Sequence, residues 1–221
     1  MVGTLHERMV SDGVVVGPED WMDTTEPLDP VLGRCAWAGA SGPRPDPLMT
    51  SYHDDEWGRP TTDDVELFER LVLESFQAGL SWSTILRKRE SFRTAFRGFD
   101  PATVAAFDDQ DGARLMNDAG IVRNRAKVEA AIRNALAYVA ICREFGGFDA
   151  YLRTIVREPA RPLPATATVA DIPSRTAASS ALSAELQARG FKFVGSTIIY
   201  AFMQSVGLVD DHLPGCFRHR A

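Results

Sequence analysis

The sequence predicts an all-α protein, on three observations. Apolar residues recur at the three-to-four spacing of a buried helix face. Capping residues, prolines and glycines stand at the ends of the apolar stretches. Segments with the alternation of a strand are scarce. Taken in order, Thr61-Thr62-Asp63-Asp64 reads as a helix start, with a capping side chain and acids in the first turn. Val65, Phe68, Val72 and Phe76 follow, with Leu67, Leu71 and Ala78 beside them. Residues 83–96 read as a basic amphipathic helix, and residues 101–107 as a short one with Pro101 in its first turn. Residues 113–118 and 124–144 are two more. Residues 181–189 are another, stopped by Gly190. Residues 193–206 are apolar around most of the helix circumference, which predicts burial.

The chain has 221 residues, 45% apolar and 24% charged, the mixture of a folded domain rather than a collagen, a wholly disordered chain or a disulfide scaffold. No apolar run approaches the ~18–20 residues that span a bilayer, and the start lacks a signal-peptide core. A cytoplasmic location without membrane contact is expected. The net charge of −6 is unevenly spread. Residues 1–33 hold seven acids and one base, so they read as an acidic, flexible extension, while residues 34–221 hold 23 of each sign and read as the folded body. A neutral body can still carry a basic patch, so DNA remains a possible partner. Cys35, Cys142 and Cys216 are odd in number and lack a secretory signal, which points to free thiols or metal ligands. Residues 157–179, with Pro159, Pro162, Pro164 and Pro173, read as a connection holding at most one short helix.

Four constellations can carry chemistry. Cys35, His53, His212 and Cys216 make a complete tetrahedral set for a structural zinc, although scattered buried cysteines and exposed histidines would give the same letters. Glu74 shares the spacing of one helix face with Leu67, Leu71 and Ala78. It is either a buried functional carboxylate or a border residue paired with Arg70 or Lys88. Trp37, Trp57, Trp82 and Tyr52 cluster around it in sequence, as the wall of a pocket for a flat heterocycle or as ordinary core. Finally, Leu115 to Lys127 reads as two helices joined at Gly120, which can take φ > 0 in the turn. The second helix's N-terminus, with Arg123, Arg125 and Lys127, would face a phosphate. A plain helical hairpin with a solvated basic face is the alternative.

Together these segments resemble the DNA-3-methyladenine glycosylase I family. The resemblance is carried by Arg34-Cys35-Ala36-Trp37, Asp46-Pro47-Leu48, Tyr52-His53-Asp54-Asp55-Glu56-Trp57-Gly58 and Leu73-Glu74-Ser75-Phe76-Gln77-Ala78-Gly79-Leu80-Ser81-Trp82. Asp118-Ala119-Gly120-Ile121, Gly190-Phe191-Lys192-Phe193-Val194-Gly195, Asp211-His212 and Gly215-Cys216 complete it. It implies a helix-hairpin-helix glycosylase fold over residues 34–217, whose two ends are joined by one zinc on Cys35, His53, His212 and Cys216. It implies hydrolysis of the N-glycosidic bond of N3-methyladenine, with N3-methylguanine as a minor candidate, in alkylated duplex DNA. Glu74 would read the base and serve as the catalytic carboxylate, with Tyr52, Trp82 and Trp37 stacking around it. Gln77, Gly79 and Leu80 would lie near the gap left by the extruded nucleotide, and Gly120, Ile121, Arg123, Arg125 and Lys127 along the DNA backbone. A monomer without a nucleotide cofactor is expected. The catalytic aspartate that many helix-hairpin-helix glycosylases carry after the hairpin helix has no counterpart here. Residues around Gly42, Pro43 and Arg44 lengthen the Cys35–His53 loop relative to the family. Rival readings are a damage-binding protein without turnover and a zinc hydrolase of small molecules; four protein ligands would leave the second no open coordination position.

Overall fold

The computed structural model describes residues 33–39, 46–158 and 160–219. The expected acidic extension, apart from Gly33, and the lengthened loop at Gly42, Pro43 and Arg44 lie outside these residues. The described residues are all-helical, with no strand among them. After a 3-10 turn at Ala36–Ala38 come α1 (Pro47–Asp55), α2 (Asp64–Gln77), α3 (Trp82–Ala95), α4 (Pro101–Ala105) and α5 (Asp109–Asn117). Then follow α6 (Arg125–Phe145), α7 (Phe148–Ile155), α8 (Ala177–Ala188) and α9 (Ser196–Ser205).

Local chemistry sets most of these boundaries. Asp63 accepts from the Glu66 N–H at 2.8 Å and starts α2. Asn124 caps α6, whose far end stops at Gly146 in the left-handed conformation. Two helices went unread in the sequence although their signals are present. Asp46 caps α1 and Pro47 fills its first position. In α7, Phe148, Tyr151, Leu152 and Ile155 repeat at helical spacing over only eight residues. Two starts lie earlier than expected. Asp108 caps α5 through the N–H groups of Gln110 and Asp111, and a Thr176–Ser179 capping box starts α8. The last helix begins three residues late. The Phe193 and Val194 carbonyls accept from the Ser75 and Ser183 hydroxyls, and Phe193 turns to φ +54°, so the chain cannot be helical there.

α2 is the central element. It packs against α3, α4, α6, α7 and α9, and every residue from Leu67 to Phe76 is buried. Phe68, Phe76, Phe92, Phe96, Phe99 and Tyr138 join it in one main core. Tyr52, Trp57 and Leu86 form a second, smaller cluster with Trp37, Met49 and Trp82 against them. Ala78, expected on the buried stripe, lies just past the helix end and is exposed.

The α5–α6 connection is a tight turn, but not for the expected reason. Gly120 does not have a positive φ. It lies so close to α3 that a Cβ would sit 2.8 Å from Ser91 Cβ. Lys88 Nζ donates to the Ala119 and Gly120 carbonyls at 3.1 and 3.0 Å and pins the turn. Gly120→Ala is therefore expected to destabilise by about 1–3 kcal/mol through overpacking, read from the denaturation midpoint. A neutral effect would remove the close-approach account.

Candidate active site and metal cluster

Met49 and Tyr52 of α1, Glu74 and Gln77 of α2, Trp82 at the start of α3, and Ala201 and Gln204 of α9 line one cavity. Trp37, Trp57, Val169 and Ile172 complete the wall, around a volume of about 400 Å³, the size range of a small-ligand site. Its aromatic rings pack edge to face or tilted against one another. Trp37 and Trp57 centroids are 4.8 Å apart at 76°, and those of Tyr52 and Trp82 lie 5.1 Å apart. The structure thus brings together Trp37, Tyr52, Glu74, Gln77 and Trp82. Gly79 and Leu80 stand exposed on the loop that follows α2.

Glu74 is the exception among the buried charges of α2. Glu69 accepts from Arg93 at 3.0 Å on both oxygens. Arg70 donates to Glu66 at 2.6 Å and to the Ser205 carbonyl at 3.1 Å. Lys88 is committed to the turn at Gly120. Neither of the border partners weighed for Glu74 reaches it, and it accepts no hydrogen bond from any described residue. Burial pushes its carboxyl up to about 8, against a smaller lowering by the charge of Arg70. The indole N–H of Trp82 is also buried without a partner. A buried donor without a partner and a carboxyl that lines the cavity without a hydrogen bond to any described residue are what a hydrogen-bonding ligand would complete.

The two Cys and two His residues converge elsewhere in the same end of the molecule. Their ligand atoms all lie within 4.8 Å of one another, and all four residues are buried. Cys216 Sγ is 3.4 Å from His53 Nε2 and 3.6 Å from His212 Nδ1, and Cys35 Sγ is 3.8 Å from His212 Nδ1. A tetrahedral ion with bonds of about 2.3 Å to sulfur and about 2.0 Å to nitrogen would place each sulfur about 3.5 Å from each nitrogen. The cluster therefore fits a metal ion. A second layer orients it. His53 Nδ1 is 2.7 Å from Asp54 Oδ1, and Arg34 Nε donates to both Asp54 oxygens at 3.0 and 2.8 Å. Gly58, at φ +75°, lies against His212, whose Nε2 would be 2.9 Å from a Cβ there.

The expected phosphate contacts divide. Arg123 and Arg125 are exposed beside the start of α6. Ile121 is buried in the main core. Lys127 does not project to solvent. Its Nζ donates to the Phe76 and Ala78 carbonyls at 2.9 and 2.7 Å, closing the C-terminal end of α2. An i+3 step past the capping Asn124 turned it inward, which a charge pattern alone does not reveal.

Gln204, Met49, Ala201, Val169 and Ile172 were not expected in the pocket, whereas Trp57 belongs to the aromatic set read as its wall. Gln204 had a signal of the same kind as Glu74, a long polar side chain in an otherwise apolar helix. Val169 and Ile172 had none, because only the tertiary fold brings the proline-rich connection over the cavity.

With this geometry in view, the relatives are informative. A sequence model of the methyladenine glycosylase family matches residues 42–219. The chain belongs to the methyladenine glycosylase family. DNA-3-methyladenine glycosylase 1 of Escherichia coli K12 is 49% identical over 185 residues, 84% of this chain and 96% of that protein. A crystal structure of 3-methyladenine DNA glycosylase I superposes with a TM-score of 0.78 at 46% identity, covering 85% of this chain and all of that one. The Staphylococcus aureus enzyme, solved to explain its recognition of 3-methyladenine, gives a TM-score of 0.77 at 36% identity over 84% of this chain and 96% of that one.

The raised Glu74 carboxyl has a thermodynamic consequence. Folding lifts it from 4.5 to about 8, so the folded state binds the proton more tightly. Its favourable contribution is complete below about 4.5 and is lost as pH rises to about 8. Glu74→Gln should therefore gain stability over the native chain as pH rises through that window, by an amount on the order of 1–3 kcal/mol. Paired denaturation curves near both ends of the window test it. A stability difference that does not change with pH would assign the effect to something other than ionisation.

Proposed function

We infer that the chain excises N3-methyladenine from alkylated duplex DNA by hydrolysing its N-glycosidic bond, leaving an abasic site. The observation that carries this reading is the buried, unpartnered Glu74 carboxyl in an aromatic-walled cavity sized for a purine. Family membership and the relatives' named activity point to the same reaction.

N3-methylation places a positive charge on the adenine, so the base leaves as a neutral molecule when the C1′–N9 bond breaks. The bonding pair goes to the base, and water captures the oxocarbenium-like sugar and releases a proton. Extrusion from the stack costs a few kcal/mol, least for a weakened pair. Tyr52, Trp82 and Trp37 supply stacking and cation–π attraction to the cationic base, about 1–2 kcal/mol each when desolvated. Glu74 accepts a hydrogen bond from the base edge and complements its charge. An uncharged adenine gains less from these contacts and is a poorer leaving group.

The Cys35, His53, His212 and Cys216 cluster holds one structural zinc. Thiolate with imidazole favours zinc over magnesium or calcium, and four protein ligands leave no position for a reacting water. The ion's contribution is to fold stability. The α5–α6 hairpin rests along the DNA backbone through Arg123 and Arg125, with Gln77, Gly79 and Leu80 at the gap left by the flipped nucleotide. Lys127 drops out of the contact set in favour of a bracing role.

Incubation with methylated duplex DNA and chromatography of the released bases tests the activity. Release of N3-methyladenine with N7-methylguanine retained is expected, and Glu74→Gln should slow it by at least about tenfold, the value of one hydrogen bond to a charged group. Folded protein that releases no base would overturn the reading. Cys216→Ser should carry less than one zinc per chain by elemental analysis and melt lower than the native protein. A zinc-free variant of unchanged stability would exclude a structural site.

A further inference from the structure

Gln204 is a further polar side chain in the wall of the cavity. It reaches the cavity from α9 and is held from behind by Asp211, a buried carboxylate next to the cluster residue His212. Gln204 Nε2 donates to Asp211 Oδ2 at 2.7 Å, and the Tyr200 hydroxyl donates to the same oxygen at 2.6 Å. Two donors converge on one oxygen, so that oxygen is an acceptor and the amide nitrogen must face it. The amide cannot flip without setting its carbonyl against the carboxylate. Its Oε1 has no partner among the described residues and is left as the group that Gln204 offers the cavity. Gln77, the other amide in the wall, makes no side-chain hydrogen bond among the described residues, so it can present either end.

We propose that Asp211 locks the Gln204 amide with its oxygen toward the base, so that Gln204 is a specificity-determining acceptor for the exocyclic 6-amino group of N3-methyladenine. This rests on the reading of the cavity as the base pocket. On the 6-position edge an adenine presents two N–H donors, whereas a 6-oxo purine presents an oxygen. A fixed acceptor rewards the first and sets oxygen against oxygen for the second, leaving both buried groups unsatisfied. The charge on the lesion cannot make this distinction, because N3-methylguanine is cationic as well. Glu74 thus answers the charge of the damaged base, and Gln204 answers which purine it is.

The test uses the intact zinc-loaded chain, Gln204→Met and Gln204→Ala. Methionine keeps the length of the side chain and removes the acceptor. Release of N3-methyladenine and N3-methylguanine from methylated duplex DNA is measured for each, and binding of the two free bases is measured by calorimetry. Both variants should retain the native circular dichroism spectrum and zinc content. Each should lose at least about tenfold in the ratio of adenine to guanine product, the value of one discriminating hydrogen bond. The free-base affinity ratio should fall in parallel. An unchanged ratio in folded variants overturns the proposal. A native protein that releases neither base but binds 3-methyladenine with a preference lost in both variants would overturn the activity and leave the Gln204 assignment standing. Native protein that binds the two free bases equally overturns the assignment.

Discussion

The site depends on one costly placement, the Glu74 carboxyl in an apolar wall without a partner. A buried polar group in this condition costs more than an ordinary hydrogen bond returns. The helix that carries it can bear the cost because its other buried polar side chains are satisfied. Glu69 is held by Arg93, Arg70 by Glu66 and the Ser205 carbonyl, and Ser75 by the Leu71 and Phe193 carbonyls. Lys127 closes the last turn of the same helix through the Phe76 and Ala78 carbonyls. The cost is therefore confined to one side chain, at the cavity where a ligand would relieve it.

The cavity wall is built from the same short segments that supply the cysteine and histidine cluster. Tyr52 precedes His53, Trp37 stands two residues after Cys35, and Asp211 precedes His212. The rings interlock across the boundary. Trp37 lies 5.2 Å from His53 and Trp57 lies 4.7 Å from His212, both edge to face. The elements that meet here come from opposite ends of the folded body. Drawing four of their side chains within 4.8 Å fixes the register of all of them. An aromatic box assembled from such distant segments needs a constraint of this kind, since the cluster around Tyr52, Trp57 and Leu86 is small beside the main core. The proximity also explains why Asp211 can brace Gln204 rigidly, because its own backbone is tied down one residue later.

Much of this was legible in the sequence, for identifiable reasons. Helices with strong local signals, such as α2 with its Asp63 cap and α6 with Asn124 and Gly146, were readable because cap and periodicity agree. Glu74 could be singled out from its spacing, but its spacing alone left it level between a buried and a border position. What decides between them is that Arg70 and Lys88 are committed elsewhere, a tertiary fact. Lys127 shows the converse. It belongs to a basic run that reads as a phosphate site, yet the α2 carbonyls compete for its ammonium and win. Gly120 was legible as important but for the wrong property, since close approach to Ser91 rather than a left-handed turn excludes a side chain there. The short helix α1 was hidden because nine residues bearing two polar site residues show little apolar period.

The raised Glu74 carboxyl also bears on why a charged base should be preferred. In the empty cavity, burial favours the protonated form up to about 8. A cationic base entering the same low-dielectric space reverses the balance, because opposite charges a few ångströms apart stabilise each other far more there than in water. Burial thus disfavours the Glu74 anion in the empty cavity, and a cation opposite it would favour that anion. A neutral adenine would meet a carboxylic acid instead, with no gain in charge complementarity. On the proposed reading, selection against undamaged DNA would draw on this ionisation before any bond breaks, in addition to the lesion's intrinsic readiness to leave.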